Sequence, residues 1–316
     1  MSAGTVLVTG GAGFIGSHLC DRLLAEGRRV VAVDDLSAGH IANLSEARSY
    51  GSQFTFHNMD IRAEGLGRIV ERHQTQAIVH LASRREDPDK LDPVADAGVS
   101  ILGLLNVLEA AAWVGVEKVV FASAAAIYGN PRRLPLKETA APAARPLTPA
   151  GMTKKLAEDY LRFYQRFRGV DHTVLVSGCV YGPRQYPADG SGVVGILAGA
   201  MLDPASGPPV VHGDGSQTRD FVFVDDVVHA FSLALERGSG KLINVGTSVE
   251  TSVIALYRLL ADITGYGPEP TFAAGAAGEV RRSALDNAVA EQELGWKPWT
   301  HLEDGLRETV AFLLGT

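Results

Sequence analysis

Ten residues, Leu7-Val8-Thr9-Gly10-Gly11-Ala12-Gly13-Phe14-Ile15-Gly16, constrain this chain more than any other stretch. They close an apolar, β-branched run that starts at Thr5. They open an amphipathic pattern with Ile15, Leu19, Leu23 and Leu24 on one face. Strand, glycine turn, helix is the setting in which such glycines form a dinucleotide-binding loop. Gly10 suits the tight turn, Gly13 lets the backbone approach a pyrophosphate, and Gly16 lets the helix pack close to the strand. The pyrophosphate would sit by Phe14 and Ile15 at the helix N-terminus, where N–H groups and the macrodipole favour an anion.

A second β run, Arg29 to Val33, ends in Asp34-Asp35, about 20 residues beyond the loop, where a carboxylate binds the adenosine ribose. The same carboxylate repels a 2′-phosphate, so the expected cofactor is NAD rather than NADP. Strands are predicted at 4–9, 29–34, 53–57, 77–81, 118–122 and 173–177. Helices are predicted at 13–26, 64–73, 93–114 and 150–168. This alternation predicts an α/β fold of the Rossmann type, a doubly wound parallel sheet with helices on both faces. Beyond residue 180 glycine and proline interrupt the pattern. A strand is expected at 221–224, with helices at 225–236, 251–264, 287–293 and 303–313. The expected organisation is an NAD-binding domain over 1–178 and a smaller, interwoven α/β substrate-binding lobe over 179–316, with substrate in the cleft between them.

Composition narrows the partners. The 316 residues are 46% hydrophobic and 21% charged, with a formal net charge of -7. No long basic run is present, which argues against nucleic acid. Cys20 and Cys179 are the only cysteines, which fits a reducing compartment rather than a disulfide framework. The first strand starts too early for a signal peptide, and no apolar run looks long enough to cross a bilayer. A cytoplasmic protein without a membrane partner is expected.

The chain resembles the extended short-chain dehydrogenase/reductases, and among them the NAD-dependent nucleotide-sugar epimerases and dehydratases. The resemblance rests on the glycine loop, Asp34-Asp35-Leu36-Ser37, Asp60-Ile61, His80-Leu81-Ala82, Ile127-Tyr128-Gly129 and Val180-Tyr181-Gly182-Pro183-Arg184-Gln185. It extends through Gly213-Asp214-Gly215, Arg219-Asp220-Phe221-Val222 and Leu294-Gly295-Trp296. It implies that Ser37, Asp60 and Ile61 serve the adenosine half of NAD, and that Leu81, Ala82 and Ser83 pass the nicotinamide ribose. It implies that Arg219 clamps the diphosphate of a UDP-sugar, a task that suits a bidentate guanidinium. It also implies a homodimer built from the helices at 93–114 and 150–168.

The same resemblance exposes two departures. The family's reaction uses a tyrosine four residues before a lysine on one helix, with a serine or threonine at a nearby strand end. Lys154 is present, but Ala150 holds the tyrosine position and Ala124 the hydroxyl position. Ser123 is adjacent, yet neighbouring residues on a strand point opposite ways. Cys179 replaces a usual asparagine. Ala276 stands where a diphosphate-binding arginine is frequent, a role Arg281 or Arg282 would cover. No carboxylate precedes the Ile-Tyr-Gly element, where Ala125 and Ala126 lie, so elimination and decarboxylation lack their acid. A UDP-sugar 4-epimerase inactivated at 124 and 150 is the expected function. The alternatives are a natural nucleotide-sugar binder without activity, a keto-sugar reductase, or a different base, with Tyr128 or a water near Lys154 as candidates. Arg84, Arg85 and Arg184 near the expected sugar pocket leave UDP-glucose/UDP-galactose and UDP-glucuronate/UDP-galacturonate both open.

Overall fold

A computed structural model describes residues 4–84, 92–187, 192–203, 205, 207–275 and 280–315. Its centre is a seven-stranded sheet built from β1 (Thr5–Thr9), β2 (Arg29–Asp34), β3 (Phe54–Asn58), β4 (Thr75–His80), β5 (Lys118–Ala124), β6 (Asp171–Ser177) and β7 (Lys241–Val245). The order across the sheet is β7-β6-β5-β4-β1-β2-β3, and every pairing is parallel. The strands carry near-continuous Val, Ile and Leu because both faces are covered. The order reverses at β1, between β2 and β4, which opens a crevice at the carboxyl ends of these strands.

Two apolar layers sandwich the sheet. On one face, α1 (Phe14–Ala25) brings Leu19, Leu23 and Leu24 against Val6, Val8 and Val120. On the other, α2 (Leu66–Arg72), α3 (Gly103–Val114) and α4 (Pro149–Arg168) bring Leu104, Val107, Ala157 and Leu161 against Leu7, Val119 and Phe121. The expected helix at 93–114 is not uniform. Pro93–Ala97 is α-helical, Gly98–Leu102 is a π-helical turn, and α3 follows. Taken as one 22-residue run, Pro93–Val114 is long and apolar enough to cross a membrane by length and composition, which corrects the sequence expectation. Its apolarity has a structural cause, since Ile101, Leu104, Val107, Leu108 and Ala111 are core residues between sheet and neighbouring helices.

Beyond residue 179 two pieces return to the sheet. The helix α6 (Val224–Ala234) packs on α1, and β7 extends the sheet past β6. The remaining lobe packs α5 (Val193–Leu202) against α7 (Val253–Thr264) and α8 (Leu302–Leu314). Neither β7 nor α5 was foreseen. The β7 segment is a five-residue run between glycines, and α5 is apolar on all sides, so neither shows a clear period.

Candidate active site

The Gly10–Gly16 turn lies at the crevice. Gly10 has φ +69° and donates its N–H to Val33 O at 2.8 Å. A Cβ there would meet Ala82 N at 2.9 Å, and one on Gly16 would meet Gly10 O at 2.0 Å. Helix α1 therefore sits hard against the turn, with extended Gly13 as its N-cap and no side chain capping its first N–H groups. The early N–H groups of a helix have no intrahelical acceptor, which fits this end to an anion.

The turn is tied to β2 by Asp34, which accepts hydrogen bonds from Ala12 N at 3.0 Å and Leu36 N at 2.8 Å. Burial pushes the Asp34 carboxyl upward, and these two bonds oppose the shift. Asp35 accepts from Ser37 N at 2.9 Å and Ser37 Oγ at 2.6 Å. Asp60 is clasped by Arg62, whose Nε donates at 3.0 Å, and this guanidinium holds its carboxyl below the usual range.

A groove of about 1030 Å³ runs over these groups. Its walls include Gly10, Gly13, Phe14, Ile15, Gly16, Asp34, Asp35, Ser37, Asp60, Ile61, Leu81, Ala82, Ser83 and Lys154, which are all the residues expected at the cofactor. Arg62, Asn43, Val99 and Ser177 also line it and were not foreseen. Arg62 and Asn43 lie in no motif of the loop, and Ser177 faces the groove through strand register, which the sequence alone does not show. With the strand ends from β3 to β6 represented, the groove crosses five inter-strand intervals, about 24 Å at roughly 4.8 Å each. An acidic end, uncapped helical N–H groups in the middle and a lysine at the far end fit the charge pattern of a dinucleotide.

At the far end Lys154 projects from α4, and its Nζ donates to Ala122 O at 2.8 Å. It lies 5.6 Å from the centroid of the Phe121 ring. Burial lowers its pKa to about 8, against the opposing pull of Asp96. Asp96 is buried and accepts hydrogen bonds from Thr153 Oγ1 at 2.8 Å and Ser100 Oγ at 3.2 Å. His80, in contact with Thr9 Oγ1 at 2.7 Å, is driven by burial to a pKa of about 3 and stays neutral. Ala124 lies in the groove wall, whereas Ala150, one turn before Lys154, does not. Tyr128 is not a base in waiting. It is a core residue outside the groove, and its hydroxyl donates to Asn244 Oδ1 at 2.7 Å.

The residues expected at substrate are more scattered. Arg84 and Arg184 line the groove. Arg84 donates to Asp92 O at 3.4 Å. Arg85, Glu86, Asp87 and Ala276 lie outside the described residues. Arg184 is gripped by Asp21 at 2.7 Å, with Glu46 at 3.7 Å. Cys179, Arg219 and Arg282 are not among the residues that line the groove. Cys179 N donates to Asp220 O at 2.6 Å, and burial lifts its thiol to about 11. Arg219 Nη1 donates to Thr218 O at 2.8 Å and Val280 O at 2.7 Å. Neither Asp220 nor Asp226 pairs with it: Asp220 accepts from Thr247, Ser248 and Leu285, and Asp226 from Thr300. Arg282 forms a two-point ion pair with Glu250, and Arg281 N contacts Asn130 Oδ1 at 3.3 Å.

Residues 6–246 match the NAD dependent epimerase/dehydratase family. This chain belongs to that family. A UDP-glucose 4-epimerase from Mycolicibacterium smegmatis is 41% identical over 309 residues, 97% of each protein. A solved UDP-glucose 4-epimerase with UDP-glucose, from Thermotoga maritima, superposes with a TM-score of 0.92 at 39% identity, covering 98% of this chain and 99% of its own. The Thermus thermophilus UDP-glucose 4-epimerase, solved with NAD, gives 0.90 at 36% identity, over 98% and 99%. NAD is therefore the cofactor of this chain, as the sequence indicated.

Proposed function

We propose that the protein is an NAD-dependent 4-epimerase of UDP-glucose and UDP-galactose, slow in its present form because alanine occupies positions 124 and 150. The groove that gathers every expected cofactor residue and ends at Lys154 carries the reading, supported by the relatives at 36–41% identity. NAD, when bound, would supply the reversible hydride chemistry needed at C4 of the sugar. Asp34 would hold the adenosine ribose, Leu81 to Ser83 would flank the nicotinamide ribose, and Lys154 would hydrogen-bond that ribose and add positive charge. Arg219 would clamp the UDP diphosphate, with Cys179 and Arg282 beside it. Arg184 is already matched by Asp21 and Glu46, which favours a neutral hexose over a uronate. The same reading includes a cytoplasmic homodimer.

Without the tyrosine the sugar hydroxyl lacks its main proton acceptor. A positioned acid–base group supplies about 10²–10⁴ in rate, so turnover falls while binding remains. The competing reading, a nucleotide-sugar binder without activity, is favoured by the paired loss at 124 and 150. Ala150→Tyr separates the two. It is expected to raise interconversion of UDP-glucose and UDP-galactose by about a hundredfold or more, without accumulation of NADH. Separation of the epimers reads the outcome. A double variant with Ala124→Ser that stays inactive on both this pair and the uronate pair defeats the epimerase reading.

A further inference from the structure

The missing hydroxyl at position 124 has a neighbour in the right place. In the β5–β6 ladder Ala124 is directly paired with Ser177, as Ser123 is with Val176 and Ala122 with Leu175. Paired residues on parallel strands project to the same face, and adjacent strands lie roughly 4.8 Å apart. The core confirms the alternation. Val120, Ala122 and Leu175 belong to one apolar layer, and Val119, Phe121, Val174 and Val176 to the other. Ser123, which also borders the groove but is only 3% exposed, thus projects to the opposite face of the ladder, whereas Ser177 shares the face of Ala124, one strand over. Ser177 lines the groove with Ala122, Ala124 and Lys154, and is only 9% exposed. Its Oγ donates to Ser123 O at 3.3 Å. That bond uses the hydroxyl proton and leaves the oxygen lone pairs as acceptors.

We propose that Ser177 supplies the substrate-contacting hydroxyl of this reaction centre in place of the one absent at position 124, accepting a hydrogen bond from the C4 hydroxyl of the bound UDP-hexose. The donation to Ser123 O fixes the direction. Oγ offers an acceptor to the sugar, so the C4 O–H is turned toward the strand end, where Lys154 Nζ rests on Ala122 O. Ser177 orients the hydroxyl and takes no proton itself. This rests on the UDP-hexose reading above.

The test uses the NAD-loaded protein and compares calorimetric affinities for UDP, UDP-glucose and UDP-4-deoxyglucose. One neutral hydrogen bond predicts that UDP-glucose binds about threefold to tenfold more tightly than its 4-deoxy analogue. Ser177→Ala is expected to abolish that preference with UDP affinity unchanged, and Ser177→Thr to keep it. Ala124→Ser placed in Ser177→Ala is expected to restore it. UDP binding that persists with no C4 preference, or a preference that survives Ser177→Ala, overturns the proposal alone. Loss of NAD affinity in Ser177→Ala with the C4 preference intact places the hydroxyl on the cofactor and also overturns it. Failure of the unmodified protein to bind UDP or UDP-glucose overturns both this and the functional reading.

Discussion

At the scale of single residues, the site sets a lysine in an unfavourable place for its charge. Burial depresses the Lys154 pKa from 10.5 to about 8. Between these values the folded protein binds fewer protons than the unfolded chain, so stability rises with pH there. The cost of burying the charge is full below about pH 8 and fades as pH climbs toward 10.5. Measured without NAD, the thermal stability of the protein relative to a Lys154→Met variant should therefore increase across that window. A flat or falling difference would contradict the assignment. Arg219 poses a separate question. Its Nη1 donates to the Thr218 and Val280 carbonyls. Arg219→Ala should weaken UDP binding by about 1.5–3 kcal/mol, the range for hydrogen bonds to charged groups, and leave NAD affinity nearly unchanged. Unchanged UDP affinity in a titration would remove Arg219 from the diphosphate.

At the scale of elements, legibility followed locality. The glycine turn, β1, α1 and β2 were readable because their chemistry is written in consecutive residues. Each glycine has a steric reason that the structure makes explicit. Gly16 is the sharpest case, since an added methyl would lie 2.0 Å from Gly10 O, a backbone atom that cannot swing aside. Gly16→Ala should push α1 off the turn, cost about 1–3 kcal/mol as overpacking does, and lower NAD affinity. Denaturant unfolding together with NAD titration checks both, and an unperturbed double result would show that the turn tolerates the shift. What stayed hidden depends on partners distant in sequence. Ser177 gains its meaning only from its register with Ala124. The clasp of Arg62 on Asp60 spans only two residues, but no motif marks it as a wall of the groove. The π-helical turn at Gly98–Leu102 has no signature in a helical run of apolar residues, and β7 is a strand only because β6 lies beside it.

At the scale of the whole molecule, several large apolar side chains are exposed on neighbouring helices. On α4, Met152, Leu156, Phe163 and Phe167 are exposed at 56%, 47%, 49% and 62%. At about 100° per residue these four positions fall within roughly a 60° stripe, about 120° around the helix from the side on which Ala157, Leu161 and Tyr164 enter the core. Beside it, α3 packs on α4 and leaves Trp113 exposed at 61%, with Leu102 at 60% just before its start. Clustered exposed apolar side chains are the kind of surface that proteins use for association. A two-fold axis lets the same patch meet itself, burying helix against helix. The patch lies on α4, the helix that carries Lys154, so self-association would brace the helix that holds the reaction centre. The protein is expected to sediment as a dimer, and the paired substitution Leu156→Glu and Phe163→Glu to yield a monomer that keeps its circular dichroism. The monomer should also bind NAD more weakly, because the first turn of α4 loses its brace. An unmodified chain that sediments as a monomer at micromolar concentration, or a doubly substituted one that still sediments as a dimer, would mean that this stripe is not the dimer contact.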